Sequence, residues 1–174
     1  MTSIAEDIGG ASIPEPAPHI VVGYDGSPES GKALDKALAI ARTSSGTLEV
    51  VTVSHVPVFY GGYPLGVSWS PVDDARAAAH GALSARFGEE IPEWVSVNGA
   101  EGSPAKILID ASEGAEMLVV GSRGHGGFAG LLLGSVSSAC AEHAHCPVLI
   151  VHPQKVRDGE ADAAELEMTV PLPG

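Results

Sequence analysis

The chain has 174 residues, 44% of them hydrophobic, which is enough to bury one core without disulfides or metal staples. Its formal net charge of −13 disfavours a nucleic-acid surface, because phosphate backbones are held by clustered Lys and Arg side chains. No apolar run approaches the roughly 18 residues that span a bilayer, and no signal-like segment opens the chain, so we expect a cytoplasmic domain without a membrane partner.

Both ends of the chain lack a packing period. Residues 1–18 carry three acids and three prolines, and residues 153–174 carry five acids against two bases. Segments of this composition bury too little apolar surface to order themselves. We therefore predict flexible tails at 1–18 and 153–174 around one domain at 19–152.

Between the tails, short β-branched runs alternate with alanine-rich stretches of helical spacing. In chain order we predict strands at His19–Tyr24, Thr47–Val56, Trp94–Asn98, Glu116–Val120 and Pro147–His152. The helices between them are predicted at Ser27–Ser44, Ser70–Gly88, Ser103–Glu113 and Gly134–His143. This alternation indicates parallel strands joined by crossover helices.

The predicted helix ends carry recognisable signals. The pairs Ser27-Pro28, Ser70-Pro71 and Ser103-Pro104 each place a capping hydroxyl before a residue that suits the first helical position. Gly46 and Gly114 are the expected stops of the first and third helices.

Three of the predicted strands are continuously apolar, as expected when helices cover both faces of a sheet. The fold class is therefore α/β, a doubly wound open sheet of five parallel strands with helices on both faces. In such sheets a ligand lies beyond the carboxyl ends of the strands, where the winding reverses.

One such strand end opens a glycine-rich loop. Six glycines fall within fourteen residues, from Gly121 to Gly134, before the last predicted helix. Bare backbone and a helix start suit phosphate, because unpaired amides can approach the ligand closely. Arg123 is the one fixed charge between Gly121 and Ala141, so backbone amides would hold a polyphosphate.

Two common nucleotide motifs do not explain this loop. The Walker pattern and its lysine are absent. Gly124-x-Gly126-x-x-Ala129 matches a loose dinucleotide fingerprint, but no acid follows at the end of a second strand to hold a ribose. We interpret that match as accidental.

The loop has the pattern Gly121-x2-Gly124-x9-Gly134-Ser135, and the chain here resembles the ATP-binding branch of the universal stress protein family. The first strand and its turn, Val21–Ser27, and the approach to the loop, Glu113–Gly121, are also similar to that family. The resemblance covers residues 19–152. It implies a Rossmann-like fold of the adenine nucleotide alpha hydrolase type.

The resemblance also implies a nucleotide site. Its cofactor would be ATP, with Mg²⁺ bound through the phosphates and no metal ligand from a side chain, or another adenine nucleotide. It further implies a homodimer through the last strand, Val148–Val151, whose edge would otherwise be exposed. The nucleotide-binding residues that it implies are Gly23, Asp25, Val56, Val120, Gly121, Gly124, Gly134, Ser135, Val136 and Ser137. Arg123 in the same loop is added as a candidate from its charge.

Several residues keep two interpretations. Asp25 lies in a turn sequence, but its place at a strand end favours a ligand role. Arg123 is either a solvated loop charge or a phosphate contact, and His125 contacts either the nucleotide or solvent. His143-x-His145-Cys146 is read as a structural helix end, because ligands two residues apart on a helix diverge. Cys140 and Cys146 are expected to be reduced thiols.

The sequence thus predicts an ATP-binding universal stress protein, a nucleotide-responsive regulatory module without efficient catalysis. One alternative is a slow ATPase or nucleotide-transferring enzyme, although no general base or charge clamp is recognisable. A second alternative is a cyclic AMP-binding protein, for which the outer-phosphate contacts would be unused.

Overall fold

The computed structural model describes residues 17–54, 70–125 and 132–152. Residues 1–16, the C-terminal tail from 153 and Val56 lie outside the described residues. The strands are β1 (His19–Gly23), β2 (Thr47–Ser54), β3 (Val95–Glu101), β4 (Met117–Gly121) and β5 (Val148–Val151). The helices are α1 (Pro28–Thr43), α2 (Pro71–Phe87), α3 (Pro104–Ala111) and α4 (Ser135–His143).

The five strands form one parallel sheet in the order β3-β2-β1-β4-β5, which confirms the predicted architecture. The chain moves outward from β1 through β2 to β3, then returns to β4 on the other side of β1. The winding therefore reverses between β1 and β4. The connections diverge there and leave a crevice at the carboxyl ends of these two strands.

Alternate residues of the strands point into two cores, one on each face of the sheet. Val22 and Val50 pack with Leu34 of α1 and Leu83 of α2. Val21 and Val51 pack on the other face with Leu108 of α3 and Cys140 of α4. Helices thus cover both faces, as the continuously apolar strands predicted.

Two of the three predicted serine caps form. The Ser27 hydroxyl accepts a hydrogen bond from the Ser30 amide at 3.2 Å, and the Ser70 hydroxyl accepts one from the Asp73 amide at 3.3 Å. The third prediction was wrong in this respect, because Ser103 precedes α3 without a capping bond from its side chain. A serine before a proline marks all three helix starts but fixes the cap geometry at only two.

We expect Ser27→Ala to lower the free energy of unfolding by about 1 kcal/mol, because it leaves the Ser30 amide without its cap. Ser103→Ala is the matched control, since it removes a hydroxyl that makes no cap bond. Urea unfolding of both variants measures the difference. Equal losses in the two variants would contradict the assigned caps.

One helix stop was predicted at the wrong residue. Gly114 has a φ of +76°, in agreement with its predicted role after α3. After α1, however, the left-handed residue is Ser45, with a φ of +52°. Gly46 is small for a different reason: a Cβ there would collide with the carbonyl oxygen of Pro18, where the chain enters β1.

Candidate functional site

A cavity of about 420 Å³ opens in the crevice between β1 and β4. Its walls come from the turns after β1 and β4, the first turn of α4, and side chains of β2 and α3. It therefore lies where a doubly wound sheet places its ligand. The lining residues are Gly23, Tyr24, Asp25, Ser30, Val51, Val53, Pro104, Leu108, Val120, Gly121, Arg123, Gly124, His125, Gly134, Ser135, Val136 and Ser137.

Ten of the eleven residues predicted for the site line this one cavity, although they come from three separate segments of the chain. The eleventh, Val56, lies outside the described residues. Six lining residues were missed by sequence reasoning: Tyr24, Ser30, Val51, Val53, Pro104 and Leu108. His125, whose contact was left open, also lines the cavity.

Gly121 lets the loop after β4 lie against the first turn of α1. A Cβ at this position would be 2.9 Å from the carbonyl carbon of Glu29 and 3.0 Å from the Ser30 nitrogen. Both are backbone atoms that cannot swing aside. A glycine is therefore required at this end of the loop by close packing of two backbones.

The first turn of α4 borders the cavity. Its first helical hydrogen bond runs from the Ser138 amide to the Gly134 carbonyl at 2.9 Å. The amides of Ser135, Val136 and Ser137 precede that bond, and within the described ranges no side chain caps the helix. These donors and the positive end of the helix dipole favour an anion here.

Two hydrogen bonds fasten the loop to the start of α4. The Ser137 hydroxyl donates to the Gly121 carbonyl at 2.7 Å, and the Gly134 amide donates to the Ser122 carbonyl at 2.8 Å. The hydroxyl hydrogen of Ser137 is thus engaged within the protein. The two bonds hold the helix start in place beside the end of β4.

Asp25 joins the turn after β1 to the glycine loop. One carboxylate oxygen accepts the Ser27 amide at 3.0 Å, and the other accepts the His125 amide at 3.3 Å. Burial alone would raise the pKa of this carboxyl, but hydrogen bonds from Ser27, Ser30 and His125 outweigh it and lower the pKa of Asp25 from 3.8. Asp25 is therefore ionised at neutral pH.

We expect Asp25 to make the protein sensitive to acid. A carboxyl whose folded pKa is lowered stabilises the fold above its unfolded pKa, and that contribution is lost as the pH falls through the folded pKa. The difference in unfolding free energy between wild type and Asp25→Asn should therefore shrink below about pH 4. Urea unfolding from pH 7 to pH 3 measures this, and a constant difference would contradict it.

Arg123 and His125 supply the basic groups at the cavity. The Arg123 Nε is buried and has no hydrogen-bond partner among the described residues. The His125 ring is exposed, and its Nδ1 lies 3.7 Å from an Asp25 carboxylate oxygen. Arg123 and His125 both line the cavity, and the choice between a solvated charge and a phosphate contact for Arg123 stays open.

Part of the cavity wall is apolar. Val51 and Val53 of β2 share a face of the sheet, and Leu108 of α3 packs beside them with Val120 of β4. This wall suits the face of a flat, weakly polar ring. Period-2 spacing in β2 was the sequence signal for Val51 and Val53, but the sequence did not show which face would meet the cavity.

The described residues hold no cluster of three or more His, Cys, Asp or Glu side chains that could bind a metal ion. At the end of α4, the His145 amide donates to the Ser112 hydroxyl at 2.8 Å. Cys140 and Cys146 are both free thiols. Within the described ranges, no helix is long and apolar enough to cross a membrane.

The family model of universal stress proteins matches residues 17–152, which include every described strand and helix. The chain belongs to the universal stress protein family. A universal stress protein of Mycolicibacterium smegmatis is 35% identical to it over 137 residues, which are 78% of this chain and 46% of that protein. Universal stress protein YxiE of Bacillus subtilis is 33% identical over 144 residues, 76% of this chain and 97% of that protein.

A solved universal stress protein structure adds information on a ligand. That structure shows a universal stress protein in complex with cAMP, and its sequence is 28% identical to this chain. The two structures superpose with a TM-score of 0.57, and the match covers 79% of this chain and 98% of that chain. The 174-residue chain spans about half the length of the first curated relatives that it matches, 46% in each case.

Proposed function

We propose that this universal stress protein binds ATP, with Mg²⁺ carried on the phosphates, and acts as a nucleotide-responsive regulatory module in a stress response. The observation that carries the proposal is the start of α4, where residues 135–137 line the cavity and no side chain of the described residues caps the helix. A phosphate chain would accept hydrogen bonds from their amides directly. Arg123, which lines the same cavity, adds a positive charge beside these amides.

The cavity has a second half that suits the adenine. Val51 and Val53 of β2 lie on the side of β1 away from β4, and Leu108 lies over the end of β1 at Gly23. A purine ring stacked there would leave its ribose near the turn at Asp25 and its phosphates near α4. Polar and apolar surfaces thus lie in the order in which a nucleotide presents its groups.

We infer that turnover is slow or absent. Asp25 is the one carboxylate among the described residues that line the cavity, and its lowered pKa makes it a weak base. Arg123 is the one permanently charged cation among them, whereas efficient phosphoryl transfer uses several cations. The alternative function is an ATPase or a nucleotide-transferring enzyme. A steady release of phosphate from ATP would favour that alternative.

Cyclic AMP is a second candidate ligand. A solved universal stress protein that is 28% identical to this chain is in complex with cAMP. The apolar wall would serve either nucleotide, and a single cyclic phosphate would use fewer of the amides at α4. A comparison of the affinities for AMP, ADP and ATP therefore distinguishes the two ligands, because only an ATP site gains affinity from the outer phosphates.

Isothermal titration calorimetry with ATP, ADP, AMP and cyclic AMP, each with Mg²⁺, tests the proposal together with a phosphate-release assay. We expect the affinity to increase from AMP to ATP and the release of phosphate to stay at background. A preference for cyclic AMP would favour the second candidate, and steady release would favour an enzyme. Binding of none of the four would refute the nucleotide site.

We also propose a homodimer through β5. This strand lies at the edge of the sheet, pairs only with β4 among the described strands, and carries four half-buried aliphatic side chains. A second copy would cover its unpaired backbone. Light scattering should give twice the monomer mass for wild type and the monomer mass for Ile150→Lys; monomeric wild type would contradict the proposal.

The free thiols suit a cytoplasmic location.

A further inference from the structure

We propose that His125 is a proton-linked phosphate contact: its ring leaves the Asp25 carboxylate for the phosphate chain, so that binding a polyphosphate takes up protons. The inference rests on the proposed nucleotide function and assigns a regulation to the same site. It makes pH, as well as nucleotide concentration, an input to the occupancy of the site.

The position of the ring allows this exchange. The His125 side chain is 68% exposed and lines the cavity, and its Nδ1 lies 3.7 Å from the Asp25 Oδ2. That separation exceeds an ordinary hydrogen bond, so Asp25 does not hold the ring by a hydrogen bond. The His125 backbone is held, because its amide donates to the same oxygen at 3.3 Å. The ring can therefore turn about a fixed point at the rim of the cavity.

The charges around the ring give the exchange its direction. In the free protein the ring faces the single negative charge of Asp25, and Arg123 is the fixed cation of the same loop. Glu29 at the start of α1 packs at Gly121 through its backbone and Cβ and is not among the residues that line the cavity, and Tyr24 lines the cavity but packs against the core that α1 shares with the sheet. α3 and α4 present no titratable side chain to the cavity.

A bound polyphosphate changes this balance. It brings several negative charges to the amides at the start of α4, on the same cavity that His125 borders. A histidine is the side chain whose charge changes between pH 5 and pH 8, and nearby anions favour its protonated form. The imidazole therefore takes a proton from solvent as the phosphates arrive, and the imidazolium offsets one of their charges.

Calorimetry of MgATP binding in two buffers of different ionisation enthalpy measures the proton uptake directly. The wild type should take up protons when it binds MgATP at pH 7. Because protons are taken up on binding, its affinity for MgATP should rise severalfold from pH 8 to pH 6. His125→Gln should lose both effects, and the difference between the proteins removes any titration of the nucleotide itself.

His143→Gln is the matched control. His143 is also exposed, and its Nε2 lies 3.7 Å from the Glu142 carboxylate, but it is at the far end of α4 and does not line the cavity. It should behave as wild type. Cyclic AMP, which lacks the outer phosphates, should bind with less proton uptake than MgATP.

Each outcome has a distinct meaning. Proton uptake that is lost in His125→Gln and kept in His143→Gln supports the inference. Equal proton uptake in wild type and in a folded His125→Gln would overturn it while leaving the nucleotide function intact. Failure of wild type to bind MgATP at any pH from 6 to 8 would refute the proposed function and this inference with it.

Discussion

We expect Gly124→Val to leave the protein folded and to lower its proposed affinity for MgATP by at least about 100-fold, a loss of about 2.7 kcal/mol. Gly124 is exposed at the cavity, and a Cβ there would collide with the Asp25 Oδ2. That oxygen also accepts the His125 amide, so the collision separates the glycine loop from the turn after β1. The branched side chain would also enter the space where the phosphates are proposed to lie.

Gly81→Val is the matched control for this variant. Gly81 lies in α2, where an added Cβ would meet no atom within 4 Å. Calorimetry should find its affinity for MgATP unchanged, and circular dichroism should find both variants folded. Wild-type affinity in a folded Gly124→Val protein would contradict the assignment of the loop.

Leu34→Ala should lower the free energy of unfolding by about 2–5 kcal/mol, the range found when a buried leucine is truncated. The Leu34 side chain is fully buried, and it packs with β1, β2 and α2 in the core that α1 shares with the sheet. The cavity left by the truncation cannot close easily, because the neighbouring side chains of Ile20 and Val22 belong to the central strand of the sheet.

Leu132→Ala makes the same substitution at a residue whose exposed fraction is 79%. We expect a change within about 0.5 kcal/mol, because little apolar surface is returned to water. Urea unfolding monitored by circular dichroism compares the two variants. Similar losses of stability in both would contradict the position assigned to α1 over the sheet.

The architecture was largely predictable from local signals in the sequence. Apolar runs such as Ile20–Val22 identified buried strands, and helical spacing between them identified the crossovers. The strand order, which the structure supplies, places the carboxyl ends of β1 and β4 side by side. The glycine pattern from Gly121 to Gly134 accordingly fell at the reversal of the sheet.

What escaped prediction depends on contacts between distant segments. β3 continues three residues beyond Asn98 because its pairing with β2 extends to Glu101, which no side-chain pattern announces. Ser45, and not Gly46, adopts the left-handed conformation, because Gly46 is required by the carbonyl of Pro18. Leu108 reaches the cavity through the packing of α3, so no motif marked it.

The most direct test of the central claim is a crystal structure of the wild-type protein grown with saturating MgATP. We predict phosphate oxygens within about 3 Å of the amide nitrogens of Ser135, Val136 and Ser137. The adenine should lie against Val51 and Val53. An empty cavity at saturation, or a nucleotide bound elsewhere with these amides paired inside the protein, would contradict the account.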